Sequence, residues 1–245
     1  MIQGSTGGIG LALVRQYLVQ YPEATVIATS RLRGEGPEEL QLLKDSYQQR
    51  LQIIQLDVEC EKSVKNASMR VQELVDQLDG IVNVSGILHE ENMTPEKRLS
   101  DVVPEHFEKV LRTNALGPLL VAKWFSSLLS KQIPTYFVNI SAKVGSITDN
   151  RLGGWYSYRS SKAALNMITR NLAIELKRNR PKVVCVALHP GTTDTVLSKP
   201  FQRNVPRTKL STPTETAVRI LKVLDELNLH HNGSFLSAEG LLIPW

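Results

Sequence analysis

The sequence predicts an α/β fold, a doubly wound parallel β-sheet with helices on both faces. Three observations predict it. Short apolar runs alternate with helix-period stretches along the whole chain, as strands and crossover helices do. The apolar runs lack strict polar–apolar alternation, which fits parallel strands covered on both faces. A glycine-rich turn, Gly4-Ser5-Thr6-Gly7-Gly8-Ile9-Gly10, leads directly into the first helical pattern, LALVRQYL.

Residues 24–29 (ATVIAT), 51–56 (LQIIQL), 80–84, 136–140 and 183–188 read as strands, and 234–236 as a short last one. Amphipathic stretches at 11–19, 37–49, 62–77, 104–129, 156–177 and 213–227 read as helices. Thr212 ahead of Pro213 gives the last of these an N-cap followed by proline at the first helical position. Only Met1 to Gln3 precede the glycine turn, so the strand leading into it is expected to be truncated. No repeat, low-complexity stretch or Gly/Ser/Pro-rich linker divides the 245 residues, and a single domain over 1–245 is expected.

With 42% apolar and 22% charged residues, the chain has the composition of a globular protein with one sizeable core. A net charge of +5 suits polyanionic small molecules, and no basic cluster with interleaved aromatics points to nucleic acid. Cys60 and Cys185 show neither CxxC nor metal-ligand spacing, so they read as free thiols in a reducing compartment, and no metal is expected. His230-His231 lie in a polar turn, and His189, just before Pro190, reads as structural. There is no signal-peptide pattern and no apolar run of about 18 residues, so the expectation is a cytoplasmic protein without a membrane partner.

The glycine turn is where a pyrophosphate can approach main-chain N–H groups, and the helix that follows adds donors and partial positive charge. On its own such a stretch is also a flexible turn. Its place ahead of a helix, with a strand about 20 residues on, favours a dinucleotide site of Rossmann type. After that strand comes Ser30-Arg31, with Arg33 two residues further. An acidic residue there binds the ribose 2′-hydroxyl of NAD; a guanidinium instead matches a 2′-phosphate, so NADP(H) is favoured over NAD(H). A solvated turn is the alternative reading of the two arginines.

Tyr158-Arg159-Ser160-Ser161-Lys162 sets a phenol and an ammonium one helical turn apart on one face. A phenol titrates near 10, and a neighbouring cation is expected to lower that value. Such a pair can give a proton to a carbonyl oxygen, or take one from an alcohol, while hydride moves. YxxxK by itself is common and is also an ordinary helix surface.

Taken together, the glycine turn at 4–10 and YxxxK at 158–162 resemble the short-chain dehydrogenase/reductase family over essentially the whole chain. Asp57-Val58 resembles the family's adenine-contacting pair. Asn83-Val84-Ser85-Gly86 stands where the family has NNAG. Asn114, in RTNALGPLL, matches the helix asparagine that holds a relay water, and Pro190-Gly191 with Thr195 resembles the segment beside the nicotinamide. The resemblance thus implies Tyr158, Lys162 and Asn114 as catalytic residues. It implies cofactor contacts from Gly4, Thr6, Gly8, Ile9, Gly10, Arg31, Asp57, Val58, Asn83, Ser85, Gly86, Tyr158, Lys162, Pro190, Gly191 and Thr195. It further implies a small carbonyl or alcohol substrate and a homo-oligomer, dimer or tetramer. The stretch from Ser141 to Met167, HPGTTDT and the closing GSFLSAEGLLIPW resemble the branch holding C-factor and the sniffer-type carbonyl reductases.

There is one departure. The family's catalytic serine comes three residues before the glycine after the fifth strand; here that glycine is Gly145 and the position holds Ala142. Ser141 and Ser146 flank it, and either is a candidate to polarise the carbonyl. Strand alternation turns Ser141 to the opposite side. Lys199, Arg203, Arg207 and Lys209 follow Thr195, where the family places a substrate lid; a solvated loop is the plainer reading. The expected activity is that of an NADP(H)-dependent carbonyl reductase, or the reverse alcohol dehydrogenase. The alternative is a dinucleotide-binding signalling or regulatory protein with little turnover.

Overall fold

The computed structural model describes residues 1–32 and 36–245; Arg33 lies outside the described residues. The strands are β1 (Ile2–Gln3), β2 (Val26–Ser30), β3 (Leu51–Gln55), β4 (Gly80–Asn83), β5 (Thr135–Ile140), β6 (Val183–His189), β7 (Thr192–Thr193), β8 (Leu210–Ser211) and β9 (Ser234–Ser237). Seven of them form one sheet in the order β3-β2-β1-β4-β5-β6-β9, and β7 pairs with β8 apart from it. Every pairing between named strands is parallel.

The helices are α1 (Gly8–Gln20), α2 (Glu38–Tyr47), α3 (Glu61–Gln72), α4 (Pro104–Leu111), α5 (Gly117–Phe125), α6 (Tyr156–Asn179) and α7 (Pro213–Glu226). They cover both faces of the sheet, and the strand side chains show why. On β6, Val184, Val186 and Leu188 join one core with Leu13, Val14 and Leu18 of α1 and Ile220 and Leu221 of α7. Val183 and Cys185 point the other way, into a core with Val64 of α3, Phe125 of α5 and Leu172 of α6. Two buried faces explain the unbroken apolar runs. The N-cap expected at Thr212 is present as a capping box with Glu215.

Although β1 has two residues, it is an interior strand between β2 and β4, with Ile2 opposite both Ala28 and Val82. Its ladder is extended by the Met1 and Gln3 carbonyls, which accept from Val82 and Val84. The strand order reverses between β1 and β4, and the crevice beyond their carboxyl ends is where such sheets bind ligands.

The single helix expected over 104–129 is divided. A five-residue π-helical segment, Arg112–Leu116, separates α4 from α5, and Ser126–Leu128 closes as a 3-10 turn. The wide turn coincides with the side chain of Asn114, which is bonded to both backbone groups of Ile87. Such bulges concentrate at functional sites, and helical periodicity in a sequence carries no sign of them.

Candidate active site

The glycine turn connects β1 to α1. Gly10 packs so closely under Gly4 that a Cβ there would lie 2.0 Å from the Gly4 carbonyl oxygen, so no other residue fits. Ser5, fully buried, donates from Oγ to the Ile2 carbonyl at 2.7 Å, and the Gly4 amide donates to Thr29 Oγ1 at 3.1 Å. These bonds fix the turn and leave Thr6, Gly7 and Gly8 exposed at the start of α1, where no side chain caps the helix. A Cβ on Gly7 would meet nothing within 4 Å, whereas one on Gly8 would lie 3.1 Å from Thr195 Cγ2. The turn is therefore an open cradle of backbone donors with Thr195 over one side, a fit for a pyrophosphate. Ile9 packs down onto the core. Arg31 is exposed just past β2. Asp57 shapes its own turn by accepting from the Glu59 amide at 3.0 Å, and Val58 is buried.

Behind β4 the predicted residues divide. Asn83 is turned into the sheet–helix interior, donating to Asn139 at 2.8 Å, which in turn donates to Thr169 of α6 at 2.8 Å. Ser85 donates to Gln3 Oε1 at 2.7 Å. Gly86 lies at the centre of the site, where a Cβ would come within 3.3 Å of Asn114 Oδ1 and 3.6 Å of Lys162 Nζ. Pro190 is buried, and Gly191 turns the chain with φ +79°.

Tyr158, Lys162 and Asn114 converge here. The Lys162 ammonium lies 5.7 Å from the Tyr158 ring centroid and donates to the Ile140 carbonyl at 2.9 Å. Asn114 also donates to Ser161 Oγ at 3.0 Å, tying the π-helical turn to α6. Gly145 permits this meeting, because a Cβ there would lie 2.6 Å from Lys162 Cβ. The expectation that Lys162 lowers the Tyr158 phenol needs correction. Burial dominates both groups, pushing the phenol well above its ordinary value and the Lys162 ammonium down to about 8. Spacing in a sequence shows the neighbour but not the desolvation. Burial likewise holds His189 down at about 4, with Nδ1 lacking a partner among the described residues.

Each flanking serine has its hydroxyl engaged elsewhere than at Tyr158. Ser141 Oγ donates to Asn166 Oδ1 at 2.7 Å, on the side that strand alternation gives it, and Ser146 Oγ accepts from the Asp149 amide at 3.1 Å. Ala142 instead packs in the cluster that holds Tyr158, Leu88, Met93 and Val110. Ser141→Ala is accordingly expected to leave turnover near wild type while costing about 1–3 kcal/mol, since Asn166 loses its donor. Ala142→Ser places a hydroxyl in the Tyr158 cluster and is expected to raise kcat/KM by up to about 10²-fold. Steady-state rates and urea melts check both, and a turnover loss confined to Ser141→Ala would reverse the assignment.

Three aromatic contacts were not legible in the motifs. Trp155 meets Tyr158 edge-on with centroids 6.2 Å apart and Phe201 at 5.0 Å, and Phe201 meets His89 at 5.6 Å. Phe201 comes from a 3-10 turn, Lys199–Asn204, so the segment after Thr195 does lie over the site. Lys199, Arg203, Arg207 and Lys209 are exposed on it.

Among the described residues, no group of three or more His, Cys, Asp or Glu is placed to hold a metal, and no helix is long and apolar enough to cross a membrane. The short chain dehydrogenase family profile matches residues 1–206. An uncharacterized oxidoreductase of Schizosaccharomyces pombe is 32% identical over 254 residues, covering 100% of this chain and 96% of that protein. The NADPH-bound carbonyl reductase from chicken fatty liver superposes with a TM-score of 0.87 at 30% identity, covering 100% of this chain and 93% of that one. The carbonyl reductase Sniffer of Drosophila melanogaster gives 0.85 at 25% identity, covering 100% and 98%.

Proposed function

The chain belongs to the short-chain dehydrogenase family of oxidoreductases, and we propose that it is an NADP(H)-dependent carbonyl reductase, working in reverse as an alcohol dehydrogenase. The observation that carries this reading is the convergence of Tyr158, Lys162 and Asn114 around Gly86 at the switch point of the sheet. A regulatory dinucleotide binder has no need of that set. When bound, the cofactor supplies or accepts the hydride.

The chain's own residues do the rest. The exposed amides at the start of α1 hold the phosphates, with Gly4, Thr6, Gly8, Ile9 and Gly10 shaping the turn. Asp57 and Val58 flank the adenine, and Pro190, Gly191 and Thr195 border the nicotinamide end. Tyr158 gives the proton to the carbonyl oxygen. Its raised pKa keeps the phenol protonated at neutral pH, which favours reduction over oxidation. Lys162 holds the ribose, and Asn114 anchors a relay water. The apolar cluster of Leu88, Met93, Trp155 and Phe201 around Tyr158 suits a carbonyl compound with an apolar body.

The test is NADPH oxidation with a panel of ketones, aldehydes and quinones. Tight cofactor binding without turnover on any of them would favour the regulatory alternative. Cofactor choice is tested separately. Arg31→Asp removes a phosphate partner worth roughly 1.5–3 kcal/mol and is expected to shift preference toward NAD(H) by about tenfold or more. Equal affinity of the wild-type protein for both cofactors would overturn it.

A further inference from the structure

We propose that Glu96 is a positioning residue for Tyr158, pinning the first turn of α6 from 61 positions away in the chain and so setting where the phenol and the Trp155 indole stand. The proposal rests on the reading of Tyr158 as the proton carrier.

Helix α6 starts without a local cap. Its N-cap is Trp155, in the left-handed region at φ 51°, with no side-chain bond to the helix end. Gly153 and Gly154 before it are left-handed too, at φ 64° and 63°. A left-handed tryptophan is strained, and a helix start leaves backbone donors without partners. Glu96 supplies what is missing. Its carbonyl accepts from the Trp155 amide at 2.5 Å, one carboxylate oxygen accepts from the Ser157 amide at 3.2 Å, and the other accepts from the Ser157 hydroxyl.

The environment makes this bonding decisive. Glu96 and Ser157 are each 4% exposed. No lysine or arginine pairs with Glu96 among the described residues. In place of a cation the carboxylate has two hydrogen bonds from Ser157 and a position at the positive end of the helix. A serine or aspartate at the cap would close the helix locally. Glu96 closes it from the segment after β4, the same segment whose Leu88 and Met93 pack on Tyr158. Glu96, Ser157 and Tyr158 share the lining of one cavity of about 10 Å³, room for a single water. Loss of the carboxylate frees the first turn of α6 at Ser157, the residue next to Tyr158, and leaves the strained Trp155 turn held by the Glu96 carbonyl alone.

The experiment compares Glu96→Ala, Glu96→Gln and Ser157→Ala. Rates are normalised to NADPH-binding stoichiometry, and amide exchange is measured without cofactor. Glu96→Ala is expected to lower kcat by about 10- to 100-fold, as a displaced catalytic group does, with NADPH affinity unchanged. Glutamine can accept from the Ser157 amide and donate to its hydroxyl, so Glu96→Gln recovers most of the loss. Ser157→Ala, which removes one bond only, falls between. Exchange at Ser157, whose amide loses its acceptor, speeds up by about tenfold or more in Glu96→Ala and not in Glu96→Gln. Wild-type kcat in Ser157→Ala, no rescue by glutamine, or kcat and NADPH affinity falling together would each overturn the proposal. A wild-type protein that reduces no carbonyl would sink the carbonyl-reductase reading instead, leaving the anchor to be judged by exchange.

Discussion

Tyr158→Phe is expected to lower kcat for carbonyl reduction by about 10²–10⁴-fold, the usual worth of a positioned general acid, while NADPH affinity and folding stay close to wild type. The substitution isolates one atom. The ring keeps its packing against Leu88, Met93 and Val110 and its edge contact with Trp155. Burial alone shifts the phenol, with no hydrogen bond to it, so removal of the hydroxyl strands no buried partner among the described residues. Tyr158 is 8% exposed, and burial pushes the phenol pKa up. The direction of that shift sets a pH signature. The proton needed for reduction is already in place at neutral pH, so the reductive rate should be flat there. Alcohol oxidation needs the phenolate and should rise with pH. Rates in both directions between pH 6 and about 9.5 check this, with the Phe variant as the reference. A Phe variant with near-wild-type reduction would remove Tyr158 from the chemistry.

The contrast between Tyr158 and Glu96 shows what the sequence makes legible. Tyr158 and Lys162 are four residues apart, and helical spacing alone puts them on one face. The glycine turn, the alternation of strands and helices and the two-sided burial of β6 are local patterns too, and they could be read directly. Glu96 acts on α6 from 61 positions away through bonds to one amide and one hydroxyl, and no periodicity marks it. The π-helical turn at Asn114 is hidden for the same reason, since its side chain is bonded to Ile87, 27 positions distant. Ser141 shows the intermediate case: alternation gave its direction, but only its bond to Asn166 gives it a partner. Ala142 was legible as a departure, and its place in the Tyr158 cluster was not.

Lys162→Met is expected to do two opposite things, abolishing most turnover while making the cofactor-free protein more stable at neutral pH. The ammonium is 3% exposed, and burial holds its pKa at about 8. In the unfolded chain a lysine titrates near 10.4, so between about pH 8 and 10.4 the unfolded state binds more protons than the folded one. Stability must therefore rise with pH across that window. Below about pH 8 the lysine is charged in both states, and burying it opposes folding by about 3 kcal/mol at 1.36 kcal/mol per unit. Methionine removes that opposition with a side chain of similar length. It also removes the bond to the Ile140 carbonyl, a loss of about 1 kcal/mol. The balance favours the variant by roughly 2 kcal/mol, or about 4–8 °C in Tm for a chain of this size. Urea melts of both proteins at pH 7 and 9.5 separate the effects. The advantage of Met should be present at pH 7 and shrink by pH 9.5, because only the wild type gains from deprotonation. A variant less stable than wild type at pH 7, or one whose advantage does not change with pH, would mean that the buried ammonium is better compensated than its single bond to Ile140 indicates. The expected pairing of lost activity with gained stability is what marks Lys162 as a charge kept in the core for chemistry and not for folding.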